Sequence, residues 1–363
     1  MGIITRAVAA LPFLLIAAWC FREMALDQLD ASARPSAESG FIEWGHGGNK
    51  VAILDHFHGV PFLDQLWRGG TAVFAVSAFG MDGVAAWQVF TFLVDLGPLY
   101  AIWILESHRG ANAWSPAYIP TVFTLAAQVL GAGGTMSVFY FLCLVFSPSA
   151  SELASKTPPP RRTVWSRASV LLLPLVLALH TAEVFAMYLS PSYEARHYWV
   201  WAWQLMPLWI GVGNVVAGQA LLKLLPPSGS PRIAQQQQRS AFVASIVSKA
   251  LLAVLASVSV AVWLYTVLSA PHPLAALFVP GPEPQDGLVL RSRKSLQADE
   301  VGVFAGSFLW LAYSFADLYL ANLVNLGELL GCAAALPVAT LVLGPGGTFA
   351  AGWYVRERML GSA

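Results

Sequence analysis

Long apolar runs, each about 20 residues and nearly free of charge, constrain this chain more than any other feature. Such a run exposes too much apolar surface for water. In a bilayer it can close its backbone hydrogen bonds as a helix and leave its side chains to lipid. About eight runs qualify as spans: 3–21, 85–105, 119–146, 168–189, 199–222, 251–268, 303–323 and 330–354. Composition agrees, with 57% hydrophobic and only 11% charged residues, against about 25% charged in a soluble domain. Net charge is zero, so nothing points to nucleic acid. Cys20, Cys143 and Cys332 all lie in apolar stretches and read as small hydrophobes.

The expected fold is therefore all-α: one polytopic helix bundle over residues 1–363, integral to the membrane and assigned to the endoplasmic reticulum. The first run also has the look of a signal peptide, but Arg22-Glu23-Met24 is a poor cleavage site. Residues 22–70 are polar and expected to form an extramembrane lid, whereas 71–80 is too short to span and reads as re-entrant or interfacial. Glycines at 131–134 and 344–347 permit bends inside two runs. Segments 226–240 and 271–300 are polar, proline-bearing and expected to be mobile loops. Basic loops holding Lys156, Arg161, Arg162 and Arg167, and Lys223, Arg232 and Arg239, share a side taken as cytosolic, although Arg291, Arg293 and Lys294 argue against it.

Ionisable residues inside apolar runs are costly and are candidates for function. One group is Gln88, Thr91 and Asp95, with Glu106 further along, on one helix face. A second is His180 and Glu183, three residues apart. A third is Trp310, Tyr313 and Asp317, with Asn325 at the next boundary. The plain alternative is that such faces hold helices together through hydrogen bonds. Three separate carboxylates at depth suit a cavity better. His46, Asp55, His56 and His58 have the residue types of a metal site, but nothing completes the set, so a lid is the preferred reading and no metal or other cofactor is expected. The sequence has no Asp-Asp-x-x-Asp run, no Asp-x-Asp-Asp motif, no P-loop and no G-x-S-x-G elbow.

The runs Phe41-Ile-Glu-Trp44, Asp55-His-Phe-His-Gly59, Leu63-Asp-Gln-Leu-Trp-Arg68, 90–100 (which ends on Tyr100) and Glu106-Ser-His-Arg-Gly110 resemble the fungal membrane-bound meroterpenoid terpene cyclases of the ascofuranone and macrophorin type. The resemblance covers mainly 40–146. It implies a non-redox isomerase that protonates an epoxide or olefin on the prenyl tail of a lipophilic aromatic or quinol-like substrate and closes rings. A carboxyl in a dry site stays protonated and can serve as that acid. Asp95, Asp317 and Glu183 are the ordered candidates, with Glu106 as a partner and His180 as terminating base. Trp310, Tyr313, Gln88, Thr91, Tyr100 and Asn325 are expected to line the substrate site. A proton-coupled small-molecule transporter is the competing reading, although it predicts repeats that the sequence does not show.

Overall fold

The structure is a computed structural model that describes residues 2–45, 48–155, 159–165, 167–223, 231–282 and 285–361. It is mostly helical. In chain order the elements begin with α1 (Ile3–Met24), α2 (Leu26–Ser39), β1 (Phe41–Trp44), β2 (Asn49–Ala52), α3 (Pro61–Ala78) and α4 (Gly83–Ser107). Next come α5 (Pro120–Leu130), α6 (Ala132–Phe146), α7 (Ala150–Ser155), α8 (Pro159–Arg162) and α9 (Arg167–Val176). A π-turn at Leu177–Thr181 leads into α10 (Ala182–Leu189), α11 (Tyr193–Gln204) and α12 (Met206–Lys223). The chain closes with α13 (Pro231–Ser269), α14 (Leu274–Phe278), α15 (Gly287–Leu320) and α16 (Leu326–Gly361).

Helix α4 is the axis of the bundle. From Val89 to Glu106 nearly every side chain is buried, against α13, α16, α3 and α15. A helix apolar all round needs such a central place, or lipid. Asp82 starts it by accepting the Ala85 amide at 2.8 Å, a side-chain N-cap.

Six helical stretches among the described residues are long and apolar enough to cross a membrane: Ile3–Ser39, Gly83–Ser107, Ser169–Leu189, Ser245–Ser269, Gly287–Leu320 and Leu326–Gly361. Two expected spans are broken instead. The run 119–146 divides into α5 and α6 at Gly131, whose φ of 87° no helix accommodates. The run 199–222 divides at Leu205, where the backbone leaves helical angles. The break expected near 344–347 is present, with Gly344 at φ 72° and ψ 169° inside α16.

The expected lid is more ordered than its polarity suggested. Residues 22–70 hold the end of α1, all of α2, an antiparallel hairpin pairing Phe41 with Ala52, and the start of α3. Most of the supposed re-entrant piece 71–80 is the buried half of α3, which ends at Ala78. In the expected loop 271–300, residues from 287 onward are the first turns of α15, and Ser292, Ser295, Asp299 and Glu300 are buried there. Of the segment 226–240, residues 226–230 lie outside the described residues and α13 begins at Pro231.

At Gly344 a Cβ would lie 2.6 Å from Trp263 Cγ, and the backbone is left-handed. Gly344→Ala is expected to destabilise the protein by about 1–3 kcal/mol, read as a lowered Tm in detergent. A neutral effect would show that this break is not imposed by packing.

Candidate functional site

Four buried or nearly buried charges meet where the C-terminal end of α4 reaches α16. Arg109 grips Glu106 with two bonds, Nε to Oε2 and Nη2 to Oε1, each 2.9 Å. The same Nη2 lies 2.7 Å from Glu357 Oε1. Arg356 bonds Glu106 Oε1 at 3.1 Å and also pairs with Glu357. Trp353 donates its indole N–H to Glu106 Oε1 at 2.9 Å, and Asn112 donates to Glu106 Oε2 at 3.2 Å. Arg109 is 1% exposed. Burial opposes its charge, but Glu106 and Glu357 outweigh this and raise its pKa above the ordinary arginine value. Two arginines and two glutamates thus form a neutral quartet, the arrangement that lets buried charge persist.

Above this quartet lies a cavity of about 70 Å³, lined in part by Trp103, Tyr140, Trp310, Tyr313, Asp317 and Arg6. Tyr140 stacks on Trp310, with ring centroids 5.5 Å apart and planes 24° apart. The Tyr140 hydroxyl is held by the Trp103 indole at 2.7 Å and pairs with Ser307 Oγ at 3.0 Å. Tyr313 donates to the Ala9 carbonyl at 2.5 Å. Asp317 accepts the Ala150 amide at 2.5 Å, at the first residue of α7. The result is an aromatic slot with fixed walls and a charged floor.

Four of the residues singled out in the sequence, Glu106, Trp310, Tyr313 and Asp317, therefore share one cavity. The others are dispersed. Asp95 lies further back along α4, fully buried, accepting Ser259 Oγ at 2.5 Å, with no partner for Oδ2. Gly346 makes room for it: a Cβ there would sit 2.8 Å from Asp95 Oδ1. Gln88 donates to Glu300 Oε2 at 2.8 Å, and Thr91 pairs with Thr266 at 2.7 Å. Tyr100 donates to the Pro207 carbonyl at 3.2 Å.

His180 cannot be the free base expected of it. Its Nε2 faces the Leu93 carbonyl at 2.9 Å, and its Nδ1 accepts from the Trp203 indole at 3.0 Å, so both ring nitrogens are engaged. Glu183, expected to work beside it, is buried with Oε2 unpartnered. Asn325 belongs to a capping box at the start of α16: its side chain accepts the Glu328 amide at 2.9 Å, and Glu328 accepts the Asn325 amide at 2.7 Å. It caps that helix and is not among the residues lining the aromatic cavity. Among the histidines and aspartate weighed as a metal site, His46 lies outside the described residues. Asp55 pairs with Arg68 at 2.8 Å, and the His58 ring sits 5.6 Å from the Trp201 ring. Among the described residues no three His, Cys, Asp or Glu side chains converge to hold a metal.

Sequence reasoning passed over Arg109, Arg356, Glu357, Asp299 and Glu300. The signal available for Arg109 was its three-residue spacing from Glu106. The α16 partners carried no local signal. His197 was also missed; it accepts the Trp201 indole at 3.0 Å, and burial lowers its pKa from the ordinary 6.5 to about 4.

The chain belongs to the CtvD domain family, whose model matches residues 27–361. It is similar to the FAD-dependent monooxygenase verC1 of Penicillium polonicum, at 25% identity over 362 residues, covering 98% of this chain and 42% of the relative. It is also similar to the FAD-dependent monooxygenase anuJ of Penicillium roqueforti, at 28% identity over 314 residues, covering 86% of this chain and 36% of the relative. A third, the FAD-dependent monooxygenase BOA8 of Botryotinia fuckeliana, is 24% identical over 269 residues, which is 72% of this chain and 33% of the relative. The chain spans less than half the length of the curated relatives it matches. No solved structure matches it.

These findings correct the expected identity. The family is the CtvD domain and not the meroterpenoid terpene cyclases. The relatives' names point to oxidation, against both the non-redox isomerase and the proton-coupled transporter. The residues present do not fit the glycine-rich fold that cradles a dinucleotide such as FAD. That fold places a glycine-rich turn between a strand and a helix of a parallel sheet. Among the described residues the only sheet is the antiparallel β1–β2 pair. The sequence contains no G-x-G-x-x-G run.

Two outcomes test this site. Arg109→Met leaves Glu106 and Glu357 buried with less compensation, and is expected to destabilise by about 3–5 kcal/mol. The double variant Arg109→Met, Glu357→Gln should recover part of the loss in thermal melts; no recovery would show that the quartet is not energetically coupled. Because the His197 pKa is lower folded than unfolded, its contribution is complete above pH 6.5 and is lost as pH falls toward 4. His197→Phe should flatten the fall in stability over that interval.

Proposed function

We propose that this chain is the membrane-embedded part of a flavin-dependent oxygenation system, and that it holds the lipophilic molecule which the flavin chemistry oxygenates. The observation that carries the reading is a division of labour. Relatives that contain this domain are named FAD-dependent monooxygenases, yet the domain accounts for only 33–42% of their length. Its own described residues carry no glycine-rich turn of a parallel sheet to cradle a dinucleotide. The oxidising group then belongs to the part of the relatives that this chain does not match, and the matched part has another task.

Membrane placement is supported by the unpartnered apolar surface. Ile4, Leu15, Val215, Leu268, Val338 and Leu341 are all more than 60% exposed. In water these would be a liability, whereas lipid solvates them. The six long apolar stretches are the proposed spans, and the endoplasmic reticulum is the proposed membrane.

The aromatic slot suits an aromatic or quinol-like head, since Tyr140 and Trp310 offer ring faces in a fixed stack. Asp317 and Arg356 supply a carboxylate and a guanidinium at its edge to orient oxygen substituents. A prenyl-type tail can lie between helices toward the bilayer. In this role the residues bind, orient and keep water from the lipophilic molecule.

The test uses microsomes carrying the unmatched portion of verC1 with or without this chain, fed a prenylated quinol and assayed by mass spectrometry. Oxygenated product is expected to depend on the chain, and Trp310→Ala is expected to lower it about tenfold, the loss of about 1.4 kcal/mol of binding. Equal yield with the chain omitted overturns the reading.

A further inference from the structure

A second cavity lies apart from the aromatic slot and shares no lining residue with it. Asp299, which lines it, and Asp317, which lines the slot, are both on α15, 18 residues apart. That is about 27 Å along a helix axis. The second cavity measures about 130 Å³ and its walls include Phe74, Phe92, Leu96 and Trp203. Three polar side chains interrupt them: Gln128 on α5, and Ser295 and Asp299, one turn apart on α15.

The two on α15 sit deep in the protein, whereas Gln128 is half-buried. Ser295 is 1% exposed, and its hydroxyl has no hydrogen-bond partner. A buried hydroxyl without a partner costs about 1–3 kcal/mol, a penalty that a ligand can remove. Asp299 is 5% exposed and is held in place by the Gly133 amide, which donates to Oδ1 at 2.7 Å. Glycine is required there, because a Cβ on Gly133 would lie 2.5 Å from the Asp299 carbonyl oxygen. The carboxylate is thus fixed by backbone.

We propose that this cavity binds the hydroxyl end of a lipophilic alcohol. The ligand hydroxyl donates to the Asp299 carboxylate and accepts from Ser295 Oγ, while its first carbons fill the apolar walls. An engineered apolar cavity of about 150 Å³ takes a benzene-sized ligand, so about six heavy atoms fit inside. The remainder of the chain leaves past Val129, which lines the cavity and is 44% exposed. A carboxylic acid would place like charge against Asp299, and a hydrocarbon would leave Ser295 unsatisfied. The chemistry therefore selects an alcohol over either. The inference stands apart from the function proposed for the aromatic slot.

The experiment uses the full chain in lipid nanodiscs and a decanol-length alcohol carrying a diazirine in its chain. Cross-links mapped by mass spectrometry should concentrate on peptides from α3, α5 and α15 around Phe74, Val129 and Leu296. Geraniol should compete for them about tenfold better than its hydrocarbon counterpart myrcene, the value of one hydrogen-bonded hydroxyl. Ser295→Ala and Asp299→Asn should each reduce that preference to about threefold or less, and Trp310→Phe in the other cavity should leave it unchanged. If Asp299→Asn does not fold, Ser295→Ala and a Val129→Trp blockade of the mouth decide the matter. Cross-links spread over lipid-facing residues such as Leu341, or equal competition by geraniol and myrcene, would overturn the proposal.

Discussion

The neutral quartet of Glu106, Arg109, Arg356 and Glu357 is the interaction on which the rest of this structure depends. Charges removed from water need opposite charge and hydrogen bonds close by, or they are lost to protonation or unfolding. Here each carboxylate meets both guanidiniums, and an indole and an amide fill further positions on Glu106. The quartet locks the end of α4, the buried axis, to the last turns of α16, the final helix of the chain. It also forms the floor of the aromatic cavity, so the same bonds that join the ends of the bundle set the position of the slot.

The interior of the bundle is not evenly apolar. Along α4 the polar contacts follow one another, from Gln88 with Glu300, through Thr91 with Thr266 and Asp95 with Ser259, to Glu106 with Arg109. Each is a contact to another helix or to the next loop. Such bonds specify which helix faces which, a task that apolar packing alone performs poorly among helices surrounded by lipid-like side chains. The two cavities touch different stretches of α4, one aromatic and charged beside Trp103 and Glu106, the other beside Phe92 and Leu96, apolar with a hydroxyl, a carboxylate and an amide.

The resemblance that suggested a terpene cyclase rested on residues 40–146, and the family match runs instead over 27–361 as a CtvD domain. Apolar helices with embedded carboxylates serve many chemistries. Their pattern reports the solvent around the protein more than the reaction inside it. The same limit shows in single residues. His180 and Glu183 share a helix face, as their spacing requires, yet His180 is consumed by the Leu93 carbonyl and the Trp203 indole. Asn325 looked like a polar residue at a cavity mouth and is a helix cap.

Read alone, the sequence determined that the chain is helical, that long apolar stretches dominate it, and that Asp95, Glu106 and Asp317 stand on helices where charge is costly. These follow from local physics: period, length and the scarcity of charge. It also located the break at Gly344, because glycine beside proline interrupts a helix wherever it falls. Only the tertiary structure decided that 119–146 and 199–222 are each two helices, that 287–300 is buried helix, and that Trp353, Arg356 and Glu357 close on Glu106. Those contacts join residues about 250 positions apart, as with Trp353 and Glu106. Partners so distant leave no trace in local periodicity, since their proximity is a property of how the helices pack and not of either helix by itself.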